Sequence, residues 1–278
     1  GTPRLDRWLV DCGGGVADTP LHRAYGRKFM LSAIARALYP GCKVDTVLLV
    51  IGAPRLFKSS LFRALFGDRW FGDSDLDLNS KDSALVLARS WCHEIAELSS
   101  FSRADAARIK SFLSRQIDMF RAPYDRAVSD TPRHTVVVAT SNEGIPLRDK
   151  TGNRRFWAVE VDAPIDLDRI RRDRAQLWAE ALVAVEAGET WWLDGELADA
   201  ADESNEKHLV DDTLEAAVLA WLSTTDKRSV RVLDVVVGAL RVPVADAGRY
   251  SRAVGEVLRA AGWAHTRTAK SRFWVAPK

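Results

Sequence analysis

The sequence predicts an α/β protein of the phosphate-binding-loop (P-loop) kind, with an N-terminal helical segment and a C-terminal winged helix-turn-helix domain. Three observations predict it. An apolar run, residues 44–51, leads through Gly52-Ala53-Pro54-Arg55-Leu56-Phe57-Lys58-Ser59 into a helix-forming stretch. Strand-like runs then alternate with helical periodicity as far as Val185, the pattern of a mainly parallel sheet with helices on its faces. Finally the charge separates into blocks: residues 186–226 carry twelve acids and one base, and residues 227–278 carry eleven bases and three acids. These shifts divide the chain into a helical segment (1–42), a P-loop domain (43–190), an acidic linker and helix (191–226) and a basic winged-helix domain (227–278). A basic module of that size points to a polyanionic partner.

The elements are expected in this order. Helices over 5–11 and 21–38 end near Pro40-Gly41, and the apolar run at 44–51 forms the buried strand before the loop. Residues 85–98 span a helix end and a second buried strand at 91–97. Apolar residues at helical spacing (Ala106, Ile109, Phe112, Leu113) make 103–115 a helix, and the β-branched run at 135–140 reads as a central strand. Another strand covers 154–161 and a long amphipathic helix 167–185. Helices at 214–222, 232–240 and 247–261 precede two short strands, 263–268 and 271–275, around a basic turn. That order places the recognition helix at 247–261 and the wing tip at 268–272. Trp91, Trp157, Trp178 and Trp263 fall on apolar faces and are expected in the core.

Composition narrows the function classes. The chain of 278 residues is 47% hydrophobic, enough for a sizeable core, yet no apolar run is long enough to span a membrane. No signal-peptide pattern opens it, and a cytoplasmic location is expected. Cys12, Cys42 and Cys92 lie far apart, and the histidines are scattered, which argues against disulfides and against a metal site made only of protein ligands. The opening Gly1-Thr2-Pro3 lacks an initiator methionine, as a fragment of a longer protein would.

The loop carries the chemistry. Strand, loop, Lys-Ser and helix point backbone N–H groups and a helix N-terminus at a phosphate chain. Gly52, Arg55, Phe57, Lys58, Ser59 and Ser60 are the candidate nucleotide-binding residues: Lys58 for the outer phosphates, the Ser59 hydroxyl for magnesium. Phe57 stands where the pattern G-x-x-x-x-G-K-[ST] has glycine, and Arg55 replaces another small residue, so a strand-to-helix turn that merely holds a lysine is the competing reading. A phosphate loop needs a partner strand ending in acids, and 91–98 supplies Glu94 and Glu97. Residues three apart on an ideal strand face opposite sides, so both reach one site only if the strand ends or bulges near Ala96. Glu97 is the favoured catalytic and metal-linked acid, with Glu94 its companion; a surface or capping glutamate is the competing reading for each. Asn142 ends the central strand, where it can bond a phosphate or the attacking water, or simply form a turn. Arg154 and Arg155 open a strand, so one can face a neighbouring subunit while the other braces its own domain.

Several strings, taken in order, resemble the virulence-associated protein E family, grouped with the superfamily 3 helicases of phages, plasmids and integrated elements. They are Gly-Ala-Pro-Arg-Leu-Phe-Lys-Ser-Ser at 52–60, Trp-Phe-Gly-Asp-Ser at 70–74, Glu-Ile-Ala-Glu-Leu at 94–98 and Ile-Lys-Ser-Phe-Leu-Ser-Arg at 109–115. They continue with Phe-Arg-Ala-Pro-Tyr at 120–124, Thr-Ser-Asn-Glu at 140–143 and Thr-Gly-Asn-Arg-Arg-Phe-Trp at 151–157. The resemblance covers roughly residues 5–190. It implies an AAA-like ATPase using ATP and Mg2+, assembling as a homo-oligomeric ring such as a hexamer in replication of a mobile element. It also implies that Arg154 or Arg155 is an arginine finger acting in trans, and makes Lys110 above all, with Arg115, Arg121, Tyr124 and Arg126, the candidates for touching a DNA strand, against the competing reading of a salt-bridged helix and hairpin. In the terminal module Arg249, Arg252, Lys270 and Arg272 are the candidates for DNA phosphates. Whether a primase domain precedes Gly1 is left open. Two other functions compete: a nucleotide-binding DNA-recognition or assembly module with weak or no turnover, and a small-molecule kinase on the same loop.

Overall fold

The computed structural model describes residues 2–76, 83–96, 103–120, 129–142, 153–207, 212–225, 227–267 and 272–277. The chain divides into two compact units, Gly1–Leu209 and Val210–Lys278.

The first unit opens with helix α1 (Trp8–Cys12) and helix α2 (Pro20–Leu38). Thr19 caps α2 by accepting from the His22 amide, and Pro20 fills the first helical position, where no N–H is needed. Strand β1 (Val47–Ile51) follows, then helix α3 (Lys58–Phe66), strand β2 (Phe71–Gly72), helix α4 (Ser83–Leu87) and strand β3 (Cys92–Ile95). Helix α5 (Arg103–Leu113) leads to a ribbon of β4 (Ile117–Phe120) and β5 (Ser129–Pro132). Strands β6 (Val136–Ser141) and β7 (Phe156–Glu160) and helices α6 (Leu167–Glu186) and α7 (Gly195–Lys207) complete the unit.

Five strands form one parallel sheet in the order β2-β3-β6-β1-β7. Strands β1, β3 and β6 are buried on both faces throughout, as the centre of a sheet covered by helices requires. Alternation then sorts them. Leu48, Val50, Val136, Val138, Trp157 and Val159 pack with residues of α1, α2, α3 and α6, whereas Val47, Leu49, Ile51, Val137, Ala139 and Phe156 pack with Leu87, Ile109, Phe112 and Leu113. On the first face Tyr25 stacks on Trp157, with ring centroids 5.5 Å apart.

The second unit contains helix α8 (Asp212–Thr224), strand β8 (Ser229–Val230), helix α9 (Val232–Leu240), a 3-10 stretch Val244–Tyr250, helix α10 (Ser251–Ala260) and strands β9 (Ala264–Arg267) and β10 (Arg272–Val275). Its strands are antiparallel in the order β8-β10-β9. Leu214, Val218, Val235, Val236, Val254, Leu258, Trp263 and Trp274 form its core.

Several boundaries differ from expectation. The helix expected at 247–261 is a 3-10 stretch followed by α10. The strand expected at 91–97 is Cys92–Ile95, and α1 begins at Trp8 after a turn. In the acidic stretch the helix expected at 214–222 is α8, which belongs to the second unit, while the part expected as linker contains a further helix, α7, which packs against α2 and β7 in the first. Trp157 and Trp263 are buried, and Trp91 and Trp178 pack half-buried on the core. Among the described residues no helix is long and apolar enough to cross a membrane.

Candidate functional site

In open parallel sheets, ligands bind beyond the carboxyl ends of the strands where the strand order reverses. Here β1 lies between β6 and β7, while the chain leaving it passes to the distant edge strand β2. The carboxyl ends of β1, β6 and β3 therefore bring three segments together: the loop 52–57, Ser141-Asn142 and Glu94-Ile95.

The loop leaves β1 under tight constraint. Gly52 donates its N–H to the Ser141 carbonyl at 3.1 Å. A Cβ on Gly52 would lie 2.5 Å from the Val161 carbonyl oxygen, so a side chain there would displace backbone. Two non-glycine residues then adopt left-handed conformations, Arg55 at φ 71° and Phe57 at φ 65°. Phe57 therefore carries backbone strain, and it is 49% exposed rather than held in an apolar pocket. Phe57 is also the N-cap of α3 and gives no side-chain cap, which leaves the amides of the first turn, Lys58 to Ser60, available to an anion. Ser60 is half-buried within that turn.

Lys58 is buried, and its ammonium donates to the carbonyls of Gly52 (2.7 Å) and Ala53 (2.9 Å) and to Asn142 Oδ1 (2.9 Å). Burial lowers its pKa, and the nearby Glu94 carboxylate opposes that shift. Glu94 is itself buried at 3% exposure. Its Oε1 accepts from Ser59 Oγ and from Thr140 Oγ1, each at 2.6 Å. Lys58, Ser59, Glu94 and Asn142 thus converge, as the loop reading requires. Thr140, which joins them, was not singled out in the sequence, because a threonine within a β-branched run reads as a strand former. Glu97 lies outside the described residues. The acid that the fold brings to the loop is its expected companion, Glu94.

This donor set fits a magnesium nucleotide. Hydroxyl and carboxylate oxygens suit a hard divalent cation, and a lysine with the uncapped helix N-terminus suits phosphates. Among the described residues no group of three or more His, Cys, Asp or Glu side chains could hold a metal ion alone.

The arginines lie elsewhere. Arg154 and Arg155 sit in a 3-10 turn, Asn153–Arg155, and do not open the strand as expected. Strand alternation therefore does not separate them. Arg155 donates to Ser114 Oγ at 3.1 Å and lies 3.7 Å from Asp45, while Arg154 is exposed. Because Phe156 pairs level with Val47, four residues before Ile51, the turn lies roughly 13 Å along the sheet from the loop at ~3.3 Å per residue.

Among the expected DNA contacts, Lys110 is half-buried on α5, and exposed Arg115 holds its guanidinium 5.9 Å from the Phe112 ring centroid. Arg121, Tyr124, Arg126 and Lys270 lie outside the described residues. Arg249 falls in the 3-10 stretch and Arg272 opens β10. Arg252, on α10, is exposed and bonds Glu256 at 3.3 Å.

Fold and site together define an α/β protein with a Lys-Ser loop, a buried acid and an asparagine at the carboxyl edge of a parallel sheet. The model of the virulence-associated protein E-like domain matches residues 1–210, and the chain belongs to that family. A search of curated proteins found no match. Among solved structures the chain is similar to an apo structure of the NrS-1 C-terminal region (305–718), at 13% identity and a TM-score of 0.44, over 90% of this chain and 71% of that one. An A-form apo structure of the same region matches at 14% identity and a TM-score of 0.41, over 91% and 71% of the two chains.

Proposed function

We propose that the chain is an ATP-hydrolysing, helicase-like P-loop protein that works as a homo-oligomeric ring on DNA in the replication of a phage or related element. The observation that carries this reading is the convergence of Lys58, Ser59, Glu94 and Asn142 at the ends of three adjacent strands. Lys58 and the α3 amides would hold the β and γ phosphates. Ser59, with Glu94 through water, would hold the magnesium ion, which neutralises charge developing on the transferred phosphoryl group. Glu94 and the Asn142 amide would orient the attacking water, and exposed Arg154 would serve a neighbouring subunit while Arg155 braces its own. The second unit, read as a winged helix, would add duplex contacts through Arg249, Arg252, Lys270 and Arg272.

The left-handed Phe57 favours one competing reading, a nucleotide-binding assembly module with weak or no turnover. The two are separated by steady-state ATPase assays with and without single-stranded DNA. The site itself is tested by Lys58→Ala. Equilibrium titration should show ATP affinity lost or strongly weakened, because a methyl group cannot replace a cation against the phosphates. A folded variant with wild-type affinity would overturn the assignment.

A further inference from the structure

The two hydroxyls that meet Glu94 come from different elements, Ser59 from α3 and Thr140 from β6, and both donate to the same oxygen, Oε1. Among the described residues Oε2 accepts no hydrogen bond. Lys58, the nearby cation, is bonded instead to two loop carbonyls and Asn142. A buried carboxylate kept only for stability is ordinarily paired with a base or bonded through both oxygens. Here the bonding is one-sided, which fixes the plane of the carboxylate and leaves one oxygen presented to a further partner.

The geometry points to Thr140 as a positioning residue. By holding Oε1 from the β6 side, it keeps Glu94 Oε2 aimed at the hydration shell of the magnesium ion that Ser59 would ligate. Ser59 alone cannot do this, because its hydroxyl must turn to the metal as a ligand, and Thr140 is then the donor that remains on Oε1. Thr140 is itself held well: it is buried at 5% exposure in a strand hydrogen-bonded on both sides. This inference rests on the magnesium-nucleotide reading of the loop.

The test compares Thr140→Ser with Thr140→Ala. Both lack the methyl group and differ only in the hydroxyl, so packing loss is common to the two. A non-hydrolysable ATP analogue is titrated at equilibrium with and without Mg2+, and the gain in affinity on adding Mg2+ is the readout. Wild type and Thr140→Ser should show the full gain. Thr140→Ala should lose about tenfold of it, the scale of one charge-assisted hydrogen bond, while keeping its affinity without the metal. Thr140→Val, which fills the space without the donor, should behave like Thr140→Ala and shows that a cavity is not the cause. A full magnesium gain in Thr140→Ala would overturn the positioning role. Wild type with no magnesium-linked gain would instead overturn the nucleotide reading beneath it.

Discussion

Phe57 holds a left-handed conformation at a position where glycine pays no steric cost, and a bulky residue there is strained by about 1–3 kcal/mol. Its ring is half in solvent, so little packing is lost when it is removed. Phe57→Gly should therefore raise thermal stability and tighten ATP binding, about tenfold for each 1.4 kcal/mol recovered at the bound loop. Calorimetry and an ATP titration check both, and weaker binding in the variant would show that the aromatic ring contributes to the working loop. For the acids, Glu94→Gln should keep nucleotide binding without the metal, lose at least as much of the gain on adding Mg2+ as Thr140→Ala, and abolish turnover, since an amide neither carries the charge nor takes a proton. If Glu97→Gln alone is inactive, the catalytic acid is the one outside the described residues. Spacing made Lys58, Ser59 and Asn142 legible in the sequence, because loop, hydroxyl and strand end each have a local pattern. The contact of Glu94 with the loop was not legible, since it depends on where β3 stops, and neither was Thr140, whose partner lies 46 positions away.

At the scale of elements, the parallel strands were readable because burial on both faces leaves continuous apolar runs. The β4–β5 ribbon was not, because its alternation is inverted: Ile117 and Met119 are exposed while Asp118 is buried. Asp118 turns inward to a bidentate pair with Arg133, which also donates to the Phe112 carbonyl at 2.6 Å. Removing one partner strands a buried charge, so Asp118→Ala should destabilise the first unit by about 3–5 kcal/mol in urea unfolding. A loss under 1 kcal/mol would mean that the pair is solvated in solution. The strands also set a pH response. Burial lowers the pKa of His93 in β3 and of His134 just before β6 from the ordinary imidazole value of 6.5. The unfolded chain then takes up protons first, so stability should be full above pH 6.5 and fall as pH drops from there towards the lowered folded values. A second loss belongs to Glu189, held at a pKa of about 2 chiefly by its hydrogen bond from Arg27, and begins only below pH 4.5. Denaturant midpoints flat between pH 7 and 5 would contradict the histidine contribution.

For the whole molecule, charge separated a basic end from the rest, but the packing moves the boundary. Leu214 and Val218 of α8 belong to the core of the second unit, so a cut at residue 226 would remove part of that core. Chains ending at residue 209 should keep the Lys58 site and lose duplex affinity together with much of its salt dependence, because the removed bases would otherwise release counterions. An unchanged salt slope would assign the basic block another partner. The arginine turn raises a separate question of assembly. Roughly 13 Å of strand separates it from its own loop, too far for an arginine to reach nucleotide held there. If Arg154 acts in hydrolysis, it must act on the nucleotide of another subunit. Mixing Lys58→Ala chains with Arg154→Ala chains should then restore part of the ATPase activity that each lacks alone, since some interfaces pair an intact loop with an intact arginine. Arg155→Ala should behave differently. Its contacts to Ser114 and Asp45 tie the turn to its own domain, so its loss should lower stability and resist rescue by mixing. Failure of the Arg154 mixture to recover activity, in a sample shown by light scattering to be oligomeric, would leave Arg154 without a role across subunits.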